Sequence, residues 1–173
     1  IRTFKQSDVE GLAKYGSIPV INGLTDYCHP CQVLADLMTI REYKGSFKNL
    51  KLCFIGDGNN MANSLIAGCV KTGMKISVAS PSGFKPDEEL VKWGEESGLL
   101  TLTSDPFEAA ENADVIYTDV WASMGQEGEA EERKKAFKSY QVNDDIMNVA
   151  KKDAIVLHCL PAHRGEEITE KVF

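Results

Sequence analysis

The apolar run Ala154-Ile155-Val156-Leu157 breaks directly into His158-Cys159-Leu160-Pro161-Ala162-His163-Arg164. Read as a strand, it delivers a thiol, two imidazoles and a guanidinium to one strand end. In an open parallel sheet, ligands gather beyond the carboxyl ends of the strands, so metal, redox or nucleophilic chemistry could all live there. Cys28-His29-Pro30-Cys31 has the spacing of a redox dithiol and precedes a helical pattern, whose N-terminus lowers a thiol pKa. Against that reading, the preceding Asn22-Gly23-Leu24-Thr25-Asp26-Tyr27 is not a buried strand, and either cysteine could equally be a small filler. His29, Cys31, His158, Cys159 and His163 raise zinc, but no pair of them has the regular spacing of a structural site.

Two further segments offer polar groups without reactive ones. Gly56-Asp57-Gly58-Asn59-Asn60-Met61 follows a strand pattern and opens a helix, as a dinucleotide-binding turn does. Met61 at the third small position, and Ala79-Ser80 where a ribose-binding carboxylate belongs, oppose a nicotinamide site. Asn59 and Asn60 can cap the helix, bind a zwitterionic ligand, or do one each. Asp119-Val120-Trp121-Ala122-Ser123-Met124-Gly125 places a carboxylate at a strand end, able to hold an ammonium group, ahead of a loop whose backbone and hydroxyl suit a ligand.

The elements that would position these groups follow from periodicity. Leu52-Cys53-Phe54-Ile55, Ile76-Ser77-Val78-Ala79, Val115-Ile116-Tyr117 and Ile155-Val156-Leu157 are too short for helices and read as buried strands. Met61, Leu65 and Cys69 recur every four residues between the first two. Residues 87–97 form a second helix, and Asp105-Pro106 starts a short third one. The alternation predicts an α/β fold, a doubly wound parallel sheet of Rossmann-like three-layer type, over residues 46–173. Residues 1–45 fit that repeat less well: 9–15 look helical, 18–21 extended, and 32–43 helical up to the stop at Lys44-Gly45-Ser46. They are expected to belong elsewhere, with the helix over 32–43 a connector between two domains. Residues 127–135 are densely charged and read as a solvated face.

Composition excludes several classes. With 26 acidic and 19 basic residues, net charge −7, and the cations dispersed, a nucleic-acid footprint is missing. No apolar stretch approaches the ~20 residues of a membrane span. The five cysteines are odd in number, and Cys53 and Cys69 sit in apolar patterns, so a reducing, cytoplasmic setting is expected. The start at Ile1 is neither a signal peptide nor an initiator methionine, and the chain is expected to be a piece of something longer.

Taken together, His29-Pro30-Cys31-Gln32, Gly56-Asp57-Gly58-Asn59-Asn60, Asp119-Val120-Trp121-Ala122-Ser123-Met124-Gly125 and His158-Cys159-Leu160-Pro161 resemble the motifs of the ornithine carbamoyltransferases, in order and spacing. The resemblance covers essentially the whole chain, and it implies that residues 1–45 are the tail end of a second α/β domain, which binds carbamoyl phosphate, with its connecting helix, and that 46–173 are the ornithine-binding domain. It implies attack of the ornithine side-chain amine on carbamoyl phosphate to give citrulline and phosphate, with no cofactor and no metal, in a homotrimeric parent of arginine metabolism. It implies carbamoyl phosphate contacts from Arg2, His29, Pro30, Cys31, Gln32, Cys159 and Leu160, and ornithine contacts from Asn60, Asp119, Ser123 and Met124. Catalysis would fall to Cys159, Asp119, His29 and Arg2. The family's phosphate-binding Ser-Thr-Arg-Thr-Arg segment and the arginine of its last helix have no counterpart, so the chain alone is expected to be inactive. A ligand-binding or assembly module without turnover, or a thiol oxidoreductase using Cys28 and Cys31, are the alternatives.

Overall fold

Along the first core strand, β1 (Lys51–Ile55), Leu52 and Phe54 pack into one hydrophobic cluster while Cys53 and Ile55 pack into another. That alternation requires a covered sheet on both faces, and the computed structural model, which describes residues 1–122 and 127–173, has one. Five parallel strands run in the order β3-β2-β1-β4-β5, with β2 at Lys75–Ala79, β3 at Leu100–Thr103, β4 at Val115–Thr118 and β5 at Ile155–His158. On one face lie α2 (Pro30–Lys44), α3 (Asn60–Thr72) and α4 (Glu88–Glu96); on the other lie α5 (Pro106–Ala110), α6 (Ala130–Phe137) and α7 (Asp144–Val149). The remaining helix, α1 (Gln6–Tyr15), stands before this unit, where Arg2 and Leu24 form an isolated parallel bridge.

The strand order reverses between β1 and β4, and the loops following those two strands open on the same edge. Local chemistry explains the helix starts there. Asn59 Oδ1 accepts from the amides of Met61 and Ala62, capping α3, and Asp105 Oδ1 accepts from Phe107 and Glu108 to cap α5. Gly68 on α3 lets α2 in, because a Cβ there would lie 2.6 Å from Val33 Cγ1.

The expected strands and the helices over residues 32–43 and 87–97 are present. Three expectations need correction. A fifth strand, β3, sits at the sheet edge, where Leu-Thr-Leu-Thr alternates too briefly to stand out from a loop. Residues 18–21 form no strand, and 16–23 carry no regular structure. The charged run holds a residue that is not solvated at all, Arg133, which is 6% exposed. Among the described residues, no helix is long and apolar enough to cross a membrane.

Candidate functional site

Beyond the carboxyl ends of β1, β4 and β5 lies a cleft of about 670 Å³, closed from the other side by residues 2–4, 24–26 and the N-terminus of α2. Arg2, His29, Gln32, Asn60, Asp119 and Cys159 line it, together with Leu160 and Pro161. Pro30 and Cys31 do not: Pro30 opens α2, and the exposed Cys31 donates its thiol to the Asn22 carbonyl at 3.3 Å. Ser123 and Met124 lie outside the described residues.

The centre of the cleft is Asp119. Its Oδ2 accepts from Asn59 Nδ2 at 2.8 Å, and its Oδ1 accepts from the Val120 amide at 2.7 Å and the Cys159 thiol at 3.0 Å. Burial, and after it the neighbouring Asp119 carboxylate, push the Cys159 thiol far above its ordinary range, so sulfur stays protonated and donates. Asn60 has its own task, donating to the Thr25 carbonyl at 2.7 Å and so tying α3 to the N-terminal segment. The asparagines thus divide their work: Asn59 caps the helix and steadies Asp119, while Asn60 bridges the two walls.

On the opposite wall, His29 is fixed through its backbone amide, which donates to Ser64 Oγ at 2.8 Å; that hydroxyl in turn donates to the Asn60 carbonyl. Burial, then the nearby Arg2 guanidinium, hold the imidazole pKa below its ordinary value. A neutral ring can still donate a single N-H to a ligand oxygen. Its Nδ1 is buried without a partner among the described residues. Gln32 donates Nε2 to Asp36 Oδ1 at 3.0 Å.

The redox-dithiol reading of Cys28 and Cys31 loses its physical basis. Burial pushes the Cys28 thiol up, the opposite of what an attacking thiolate needs, and both cysteines are free thiols hydrogen-bonded to Asn22. Cys53 and Cys69 behave as small hydrophobes, with burial pushing the Cys53 thiol up to about 12.

The dinucleotide reading fails on geometry as well. A Cβ on Gly58 would lie 2.1 Å from the Lys85 carbonyl carbon and the Pro86 nitrogen, so this glycine admits the chain's own backbone rather than a pyrophosphate. The reactive-looking strand end also sorts itself out. His158 Nε2 meets the fully buried Glu167 Oε1 at 3.0 Å, its Nδ1 accepts from the Leu160 amide at 2.8 Å, and the His163 amide reaches the same Glu167 oxygen at 2.6 Å. His158 is therefore a strut that shapes the loop, while Arg164 turns outward to Glu170. Asp119, His158 and Cys159 lie close enough to share a metal ion, as do His163, Glu166 and Glu167. In the first group, however, the nitrogens and the thiol already serve the hydrogen bonds just described.

One pair in the wall escaped sequence reasoning. Asp57, 6% exposed, receives Arg133 Nη1 at 2.7 Å, and the same nitrogen donates to the Trp121 carbonyl at 2.9 Å. Burial pushes the Asp57 carboxyl up, and Arg133 pulls it back. The available signal was the carboxylate itself, since an aspartate next to a buried strand end needs a cation.

These features define an α/β protein with a polar cleft at the reversal of its strand order, lined by residues from both ends of the chain. The Asp/Orn binding domain model of aspartate/ornithine carbamoyltransferase matches residues 48–173, and its carbamoyl-P binding domain model matches residues 1–42. The chain belongs to the aspartate/ornithine carbamoyltransferase family. It is 55% identical over 176 residues to an ornithine carbamoyltransferase of Pyrococcus abyssi, covering 99% of this chain and 56% of that one. An ornithine carbamoyltransferase of Anoxybacillus flavithermus is 58% identical over 177 residues, at 99% and 56% coverage. Among solved structures, ornithine carbamoyltransferase from Pyrococcus furiosus superposes with a TM-score of 0.93 at 55% identity, again covering 99% of this chain and 56% of that chain. The chain thus spans a little over half the length of the relatives it matches.

Proposed function

We propose that this chain, within a protein of its relatives' length, transfers the carbamoyl group of carbamoyl phosphate to the side-chain amine of L-ornithine. The amine nitrogen bonds to the carbamoyl carbon, the carbon-oxygen bond to phosphate breaks, and the amine's proton leaves with the phosphate. Citrulline and phosphate are the products. The observation that carries this reading is Asp119, a carboxylate hydrogen-bonded, among the described residues, by uncharged donors alone and facing the His29 and Gln32 wall across the cleft.

In this reading Asp119 holds the amine, and Cys159, as a neutral thiol, fixes that carboxylate and the amine's approach. His29 and Arg2 donate toward the carbonyl oxygen that gains charge in the transition state. Gln32 accepts from the carbamoyl amide, and the backbone of Leu160 faces it. Asn60, Ser123 and Met124 hold the amino-acid end of ornithine. Residues 1–45 then belong to a carbamoyl-phosphate domain and its connecting helix, and 46–173 form the ornithine domain. The assembly is a homotrimer, the setting cytoplasmic and the context arginine metabolism.

Among the described residues lining the cleft, the cations are Arg2, Lys85 and Arg133, and Arg133 already serves Asp57. A multiply charged phosphate leaving group needs more than these offer. The chain alone is therefore expected to bind ornithine without turnover. The test is citrulline formation, measured for the chain alone and for the chain completed to its relatives' length. Turnover only in the completed protein supports the reading, and none in either sinks it.

A further inference from the structure

Behind the Gln32 wall lies a group that does not line the cleft. Asp36 follows Gln32 by one helical turn on α2 and is 5% exposed. Its two oxygens are each taken: Oδ1 accepts from Gln32 Nε2 at 3.0 Å, and Oδ2 accepts from the Tyr117 hydroxyl, also at 3.0 Å. Tyr117 is fully buried on β4, two residues before Asp119, so the pair joins the helix wall to the strand that carries the central carboxylate. Burying a carboxyl group this deeply is expensive unless it is hydrogen-bonded; burial pushes the Asp36 pKa up, and the hydrogen bonds from Gln32 and Tyr117 pull it back.

A carboxamide has two chemically opposite ends on nearly the same shape, and a lone glutamine at a cleft wall can present either one. A carboxylate removes that choice, because it only accepts. With Asp36 taking the amide nitrogen, the oxygen Oε1 is the end of Gln32 left for a ligand. The Tyr117 hydroxyl, donating to the other oxygen, completes the set of donors that keeps Asp36 an acceptor on both sides.

We propose that Asp36, braced by Tyr117, is a positioning residue that locks Gln32 with its carbonyl oxygen toward the cleft, so that the site selects acyl phosphates bearing an N-H over those bearing a methyl group. This rests on the transferase reading for the identity of the acyl donor. The selectivity itself is a matter of binding and can be measured without turnover.

The test uses the chain completed to its relatives' length and two ligands of nearly equal shape, phosphonoacetamide and 2-oxopropylphosphonate, which differ by an amide nitrogen against a methyl group. Calorimetric Kd values for both are taken in the parent, in Asp36→Asn and in Tyr117→Phe. The parent is expected to prefer the amide by at least about tenfold, the scale of one well-made hydrogen bond with no mismatch. In Asp36→Asn the Tyr117 hydroxyl takes the new side chain's oxygen and its NH₂ faces Gln32, which turns over; the preference then falls to about even or inverts. Tyr117→Phe, which keeps the carboxylate, loses part of the preference. A purely structural Asp36 would weaken both ligands alike and lower the unfolding temperature, with the ratio unchanged, and that result overturns the proposal. A parent without preference overturns it too. Should Asp36→Asn fail to fold, an unchanged ratio in Tyr117→Phe decides against it. Absence of citrulline in a parallel assay sinks the transferase reading alone, since the binding ratio stands apart from turnover.

Discussion

Two carboxylates stand at the reversal of the strand order, one after β1 and one after β4, and they have opposite fates. Asp57 is matched by the Arg133 guanidinium, which also grips the Trp121 carbonyl, so its charge is consumed in tying α6 and Trp121 to the sheet edge. Asp119 is met by an amide side chain, a backbone amide and a thiol, and by no cation among the described residues. The first carboxylate organises the wall; in the proposed reading the second is the one that meets the ligand. A count of acidic residues around a cleft therefore says little until the donors already on each of them are known.

That contrast can be broken most severely at Arg133. Arg133→Met leaves Asp57 buried and unpaired, and urea unfolding is expected to show a loss of about 3–5 kcal/mol. Adding Asp57→Asn should recover a large part, and a double variant no better than the single one would contradict the pairing. Next comes Asp119→Asn, which keeps the shape and removes the charge. In the completed protein, kcat/KM for ornithine is expected to fall by about 10²–10³-fold, typical for loss of one preorganised electrostatic partner, with the unfolding midpoint little changed.

Asn59→Ala strips a neutral donor from Asp119 and the cap from α3, and should cost about 1 kcal/mol in unfolding. The opposite wall tests the same idea through pH. Because the folded-state pKa of His29 is lowered from 6.5, chiefly by burial and then by Arg2, the unfolded chain takes up a proton that the folded one resists. Its share of stability is complete above about pH 6.5 and drains away as pH falls below it. His29→Gln should flatten that part of the stability-pH curve, and an unaltered curve would count against the buried neutral ring. The smallest effect is expected at Lys134, next to Arg133 in sequence but pointing outward to Glu166. Lys134→Ala should leave the unfolding midpoint where it was.

The neighbours Arg133 and Lys134 also show where a sequence becomes unreadable. Both sit in one charged helix, and periodicity assigns that helix to solvent. What separates them is a partner 76 residues earlier that no local pattern reveals. Tyr117 and Asp36 are joined across 81 residues in the same way. By contrast the interior strands β1, β2 and β4 announce themselves, since a strand covered on both faces is mostly apolar, and β5, though at the other edge, is an unbroken apolar run up to His158. β3 lies at the edge with threonines alternating, and carries no such compulsion. The residue types at the end of β5 were legible as chemistry, but which of them faces a ligand was not. Cys159 turns to the cleft, and His158 is committed to Glu167. The glycines of the β1 turn were legible as a close approach, and only the fold reveals that the approaching party is the Lys85-Pro86 backbone.

The stacking of Trp121 on Phe137, at 6.1 Å between ring centres, gives the molecule an optical probe in a useful place. The chain has two tryptophans, and the other, Trp93, lies partly exposed on α4. Replacing Trp93 with phenylalanine would leave a single tryptophan, Trp121, whose backbone carbonyl is gripped by Arg133 and whose neighbour in sequence, Val120, lines the cleft. Fluorescence from that one ring would then follow the wall of the cleft directly, reporting a ligand's arrival as a change in colour or intensity with no label attached.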